Sequence, residues 1–152
     1  MVGAFIQEKR NATRSPEREE QKATLRQGRA GIVVRLEGIM NWNYLEHADQ
    51  LNQLINESAN TTILIFKHST RCNISRATLD RLERNWKDAE VPNVKPYFLD
   101  LLSYRSISNA IADQFQVEHQ SPQVLIIRSG KSIYDNSHYG IDFSEIREKA
   151  KR

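Results

Sequence analysis

Cysteine is nearly absent from this chain: Cys72 is the only one among 152 residues. One thiol cannot close an internal disulfide, so a disulfide-stapled secreted scaffold is excluded. Long apolar runs are missing too. None approaches the roughly 20 residues that span a bilayer. The opening stretch MVGAFIQEKRNATRSP lacks the continuous apolar core, about 7–15 residues long, of a secretory signal. The expected setting is the reducing cytoplasm, with no membrane partner. His47, His68, His119 and His138 show no ligand spacing with Cys72, so no metal site is expected. There is no glycine-rich phosphate loop and no G-x-S-x-G elbow.

A basic body is also lacking. The net charge of +3 belongs entirely to residues 1–39, where eight Lys/Arg face five Asp/Glu; residues 40–152 carry fourteen of each. Nucleic-acid binding needs a clustered basic surface, so it is not expected of this chain. The hydrophobic share of 39% and charged share of 27% suit an ordinary globular domain. Roughly 110 residues suffice to bury a working core.

What is present divides into two parts. Residues 1–39 form a polar, mixed-charge extension holding four of the six glycines. Such a segment buries too little to offset its ordering entropy, and it reads as flexible. Within it, residues 17–27 have the pattern of a solvated helix and residues 32–36 that of a short strand. A second reading places this stretch upstream of a true start at Met40. Residues 40–152 read as one domain.

There, Trp42, Leu45, Ala48, Leu51, Leu54 and Ile55 follow helical spacing, which predicts a helix over 43–57. TTILIFK (61–67) suits a strand buried on both faces. After the loop HSTR, residues 72–88 predict a second helix with Ile74, Thr78, Leu82 and Trp86 on its inner face. VKPYFLDL (94–101) predicts a strand, and Ser103 a cap for a helix over 104–115. VLII, the turn RSGK and SIYD predict a hairpin. Asp142 and Glu145 predict a capping box for a helix over 143–151. The first two strands, joined by a helix, should be parallel with a right-handed crossover. The expected fold is α/β, a mixed four-stranded sheet flanked by helices with an extra N-terminal helix, an element order that resembles the thioredoxin and glutaredoxin folds.

The chemistry centres on KHSTRCNIS (67–75), where Cys72 stands directly after a buried strand and a short loop, at the start of a helix. A helix N-terminus presents unpaired N–H groups and partial positive charge, which favour a thiolate. Lys67, His68, Arg71 and Arg76 are close in sequence, and no carboxylate occurs between residues 58 and 79. Ser69, Thr70 and Asn73 complete the loop. A lone cysteine is often a small buried hydrophobe, but here Arg71 and Asn73 flank it. Ser75 lies one helical turn on, where a dithiol enzyme has its second cysteine. Its hydroxyl either donates to the thiolate or is simply solvated. Ser121-Pro122 precedes the third strand, with the proline placed to be cis. In a thioredoxin-like sheet the backbone before it lies beside the nucleophile loop and can pair with a substrate strand.

FKHSTRCNIS, SPQVLIIRSGK and the start MNW resemble the bacillithiol-system redox proteins of the YtxJ-like family, the monothiol bacilliredoxins, over roughly residues 40–150. Members commonly carry Pro directly after the Cys, where this chain has Asn73, and their chains start near Met40. The resemblance implies a thioredoxin-like, glutaredoxin-like fold. It also implies a thiol-disulfide oxidoreductase that removes bacillithiol from client proteins. Cys72 would be the nucleophile, a low-molecular-weight thiol the co-substrate, and no cofactor would be held. A monomer is expected. Two other classes stay open: a monothiol glutaredoxin-type iron–sulfur carrier, and a non-enzymatic interaction module with an inert cysteine.

Overall fold

The computed structural model describes residues 40–151. The extension, with its expected helix and strand, lies outside the described residues. Five strands form one sheet: β1 (Asn43–Tyr44), β2 (Thr62–His68), β3 (Val94–Asp100), β4 (Gln123–Arg128) and β5 (Lys131–Ser137). Four helices accompany them: α1 (Asp49–Glu57), α2 (Asn73–Asn85), α3 (Arg105–Phe115) and α4 (Phe143–Ala150). None of these is long and apolar enough to cross a membrane.

The sheet order is β1-β3-β2-β4-β5, with β1, β3 and β2 parallel and β4 and β5 antiparallel. β2 is central, and all seven of its residues are buried. That explains its unbroken apolar reading, because helices cover both of its faces. On one face Ile63 and Ile65 meet Leu54 of α1, Ile107 and Ile111 of α3, and Leu125. On the other, Leu64 and Phe66 meet Leu82 of α2, Ile146 of α4, and Val124. Side chains alternate along a strand, so Lys67 belongs to the first face and His68 to the second.

Three boundaries differ from expectation. The expected helix over 43–57 begins only at Asp49, and Asn43–Tyr44 instead pair with Tyr97 and Phe98 as the edge strand β1. The sheet therefore has five strands, one more than expected. Trp42 lies against Phe66 and Phe98 and donates its indole N–H to Glu83, at 2.8 Å. Leu45 donates its backbone N–H to the carbonyl of Phe98 at 2.8 Å. These are non-local contacts that a periodicity of apolar residues cannot distinguish from a helical stripe. Second, Ser103 does not cap α3. Its hydroxyl donates to Asp100, 2.8 Å away, and Tyr104 takes the cap position without a side-chain bond. Third, Trp86 lies just past the end of α2 in extended backbone, stacked edge-on to Phe143, and Ile74 is exposed while Ser75, Thr78 and Leu82 form the inner face.

The hairpin turn is as expected. Ser129 and Gly130 occupy its two loop positions at φ 50° and 74°, the pair of positive φ values that a tight type I′ turn requires. Asp142 caps α4 by accepting from the Ser144 N–H at 2.9 Å. The reciprocal half of the capping box is missing, because Glu145 accepts from the Tyr134 hydroxyl at 2.7 Å instead. Bonds from Ser144 hold the Asp142 carboxyl below the usual carboxylate range. Its stabilisation is present above the ordinary Asp range and fades as pH falls through the lowered value. Asp142→Ala is expected to cost about 1 kcal/mol at neutral pH, read as a lower urea midpoint with an unchanged slope.

Candidate active site

β2 ends at His68, and Ser69–Arg71 turn the chain into α2. The turn is closed by the Cys72 N–H donating to the Ser69 carbonyl at 3.1 Å, and the Cys72 carbonyl accepts the first helical bond from Arg76, at 3.1 Å. Cys72 is thus the N-cap of α2, in extended backbone, half-buried and free of any side-chain cap bond. The first helical N–H groups behind it have no intrahelical partner, and the first turn of α2 holds no acidic residue. A thiolate at this position meets the positive end of a thirteen-residue helix.

Arg71, Asn73 and Arg76, the near sequence neighbours of Cys72, are exposed. Arg76 reaches back to the Thr70 carbonyl at 3.4 Å, so its guanidinium lies across the loop. Lys67, grouped with these cations by sequence distance, is not among them. It points to the opposite face of the sheet, towards α3.

Ser75 is fully buried. Its Oγ lies 2.7 Å from His68 Nδ1 and accepts from the Ser69 N–H at 3.0 Å. Burial is the largest influence on His68 and pushes its pKa down; Asp100 opposes this and Arg76 adds to it. The imidazole is therefore neutral at pH 7. The assignment that uses every group has Nδ1 accepting from the Ser75 hydroxyl. Ser75 thus braces the loop through His68 and Ser69: of the two alternatives, a bond to the thiolate or a solvated hydroxyl, the described residues show neither. His68 itself lies between this hydroxyl and Phe98, the two rings tilted by 42° with centroids 5.4 Å apart.

The Ser121-Pro122 peptide is cis. In the antiparallel β2–β4 ladder Lys67 stands opposite Gln123. Continuing that register sets Pro122 beside His68 and Ser121 beside Ser69. The two expected walls of the site, the nucleophile loop and the Ser121-Pro122 turn, are neighbours. The Pro122 carbonyl accepts from the His138 N–H at 3.0 Å, and the Ser121 hydroxyl is buried with no partner among the described residues. Sequence reasoning missed His119 and Gln123. Both are buried or half-buried polar residues on the approach to this turn. The available signal was a glutamine opening an otherwise apolar strand.

A family model of the monothiol bacilliredoxin BrxC matches residues 43–146. Among solved structures, an oxidoreductase with a thioredoxin fold is 28% identical, with a TM-score of 0.61 over 71% of this chain and 92% of that one. Thioredoxin from Fasciola hepatica is 21% identical, with a TM-score of 0.55 over 71% of this chain and 95% of its own. Thioredoxin from Malassezia sympodialis is 14% identical, with a TM-score of 0.60 over 78% and 96%. The last two show the thioredoxin fold alone. The match over 43–146, on a thioredoxin-like sheet with one cysteine at the head of α2, makes the chain a member of the monothiol bacilliredoxin family, with a thiol redox role.

Proposed function

We propose that the chain removes bacillithiol from protein mixed disulfides, with Cys72 as nucleophile and a second bacillithiol as the resolving thiol. The observation that carries this reading is the half-buried Cys72 at the N-cap of α2, with a serine, not a cysteine, one turn on. In the first step the Cys72 thiolate attacks the bacillithiol sulfur of the client mixed disulfide. The S–S bond breaks, the client sulfur leaves as a thiolate and takes a proton from solvent, and Cys72 carries the bacillithiol. A second bacillithiol thiolate then attacks that adduct, releasing bacillithiol disulfide and restoring the Cys72 thiolate. Electrons balance: one S–S bond is broken and one formed, so the client sulfur is reduced to a thiol as the single incoming bacillithiol is oxidised into the bacillithiol disulfide. No bound cofactor is needed, and the chain works as a monomer on client proteins in a reducing compartment.

The test is a client protein carrying one bacillithiol, incubated with the wild-type chain and free bacillithiol and followed by intact mass. Release should run at least about tenfold faster than with free thiol alone, because the attacking sulfur is held at a fixed site where the client disulfide docks. Release no faster than with free thiol would overturn the reading.

A further inference from the structure

Lys67 is a fully buried cation in the central strand. Its Nζ lies 2.8 Å from His119 Nδ1 and 3.5 Å from the Ser108 carbonyl, and no carboxylate pairs with it among the described residues. Among the described residues, the charge that bears on it is that of Arg105, which is of the same sign. His119 is pushed down by burial first, then by Lys67 and Arg105, so its ring is neutral at pH 7 and Nδ1 can accept. The Ser108 hydroxyl lies 3.2 Å from the same nitrogen.

The cross-strand neighbour of Lys67 is Gln123. Cross-strand partners project to the same face of a sheet, and Gln123 is also buried. Its Oε1 accepts from the Gln120 N–H at 3.3 Å, and its Nε2 donates to the Glu118 carbonyl at 2.9 Å. Two adjacent buried polar side chains therefore converge on three consecutive residues, Glu118, His119 and Gln120. The next two residues are Ser121 and Pro122.

Stability does not account for Lys67. An unpaired buried ammonium costs free energy that a methionine of similar length would not. What the side chain does is tie the strand that ends in the nucleophile loop to the segment that ends in the Ser121-Pro122 turn. We propose that Lys67, together with Gln123, is a positioning residue: it holds residues 118–122 at a set distance from the Cys72 loop, so that the Ser121 backbone is ready to pair with an extended client strand. This rests on the reading of Cys72 as a nucleophile towards protein disulfides. It assigns Lys67 to recognition of the protein half of the substrate and not to activation of the thiol, from which the sheet separates it.

Lys67→Met tests this, with His119→Leu as a second route and His119→Asn, which keeps an acceptor, as the conservative rescue. In Lys67→Met and His119→Leu, amide exchange at 118–121 should accelerate about tenfold or more while exchange along β2 and β4 is unchanged. KM for a protein mixed disulfide should rise about fivefold to tenfold with kcat within twofold. Iodoacetamide alkylation of Cys72 should stay within about twofold of wild type. His119→Asn should sit closer to wild type on both the exchange and the KM readings.

Stability should move the other way. Burial and Arg105 push Lys67 down to about 8, against an ordinary value of 10.5. Between those values the unfolded chain holds a proton that the folded one has lost, so wild-type stability rises with pH across that window. Lys67→Met should therefore be at least as stable as wild type below pH 8, with its advantage shrinking towards pH 10.5. Unchanged exchange at 118–121 in both disruptive variants would overturn the proposal. So would alkylation slowed tenfold by Lys67→Met, which would make Lys67 a thiol-activating charge. A wild-type chain inactive on the mixed disulfide would instead overturn the proposed function, and the exchange arm would still decide whether the tether exists.

Discussion

Cys72→Ser is expected to leave the protein folded and to remove thiol transfer, with a loss on the order of 10³-fold or more in the rate of bacillithiol release. The structural half of this expectation comes from the position. Cys72 has the extended backbone of an N-cap and makes no side-chain cap bond. Serine is among the preferred residues there, because its oxygen accepts from the N–H two or three residues on. The side chain is half-buried and belongs to neither core cluster. Thermal stability should change by no more than about 1 kcal/mol, and in the stabilising direction. The chemical half follows from the leaving and attacking groups. A serine hydroxyl is not ionised at neutral pH and does not displace a thiolate from a disulfide. The measurement pairs intact-mass detection of client bacillithiol with a melting curve on the same preparation. Release at the wild-type rate by a folded Cys72→Ser would remove Cys72 from the nucleophile role.

Ser75→Cys is expected to convert a protein that holds one thiol adduct into one that expels it. Residues three apart on a helix have Cβ atoms about 5–6 Å apart, a separation that a modest shift of the first turn brings into the range of a disulfide. In the wild-type chain a mixed disulfide on Cys72 persists until an external thiol arrives, because the hydroxyl at 75 cannot attack sulfur. In the variant the new thiol attacks Cys72, the bound thiol leaves with its proton, and an internal disulfide remains. By mass, the adduct should disappear and the protein should end two hydrogens lighter. The structure adds a cost. Ser75 is fully buried and accepts from the Ser69 N–H at 3.0 Å, with His68 Nδ1 at 2.7 Å. Sulfur replaces those bonds poorly, so the reduced variant should lose about 1–3 kcal/mol, most of which the internal disulfide offsets on oxidation. A stable adduct on the variant, with no internal disulfide, would mean that the two side chains cannot meet.

The local signals were the ones the sequence determined alone. The unbroken run ILIF specifies a strand buried on both faces, and the change of period after it specifies a helix starting at the cysteine. Ser129-Gly130 specifies a tight turn, and Asp142 a helix start. Each depends on one pleat, one turn or one side-chain bond to a near neighbour, so a few residues contain the whole interaction. The single cysteine, with serine one turn on, leaves no second thiol in the chain to close a disulfide. What only the tertiary structure decided was where non-local partners stand. Trp42 and Leu45 fit a helical stripe equally well until Phe98 of β3 draws Asn43–Tyr44 into the sheet. Ser75 could be solvated or could face the thiol until His68, seven residues earlier, takes it. Lys67 counts as a neighbour of Cys72 along the chain, yet the alternation of a strand covered on both faces sends it to His119, 52 residues away. Sequence distance measures contour length, and a sheet buried between two helical layers gives residues one step apart opposite surroundings.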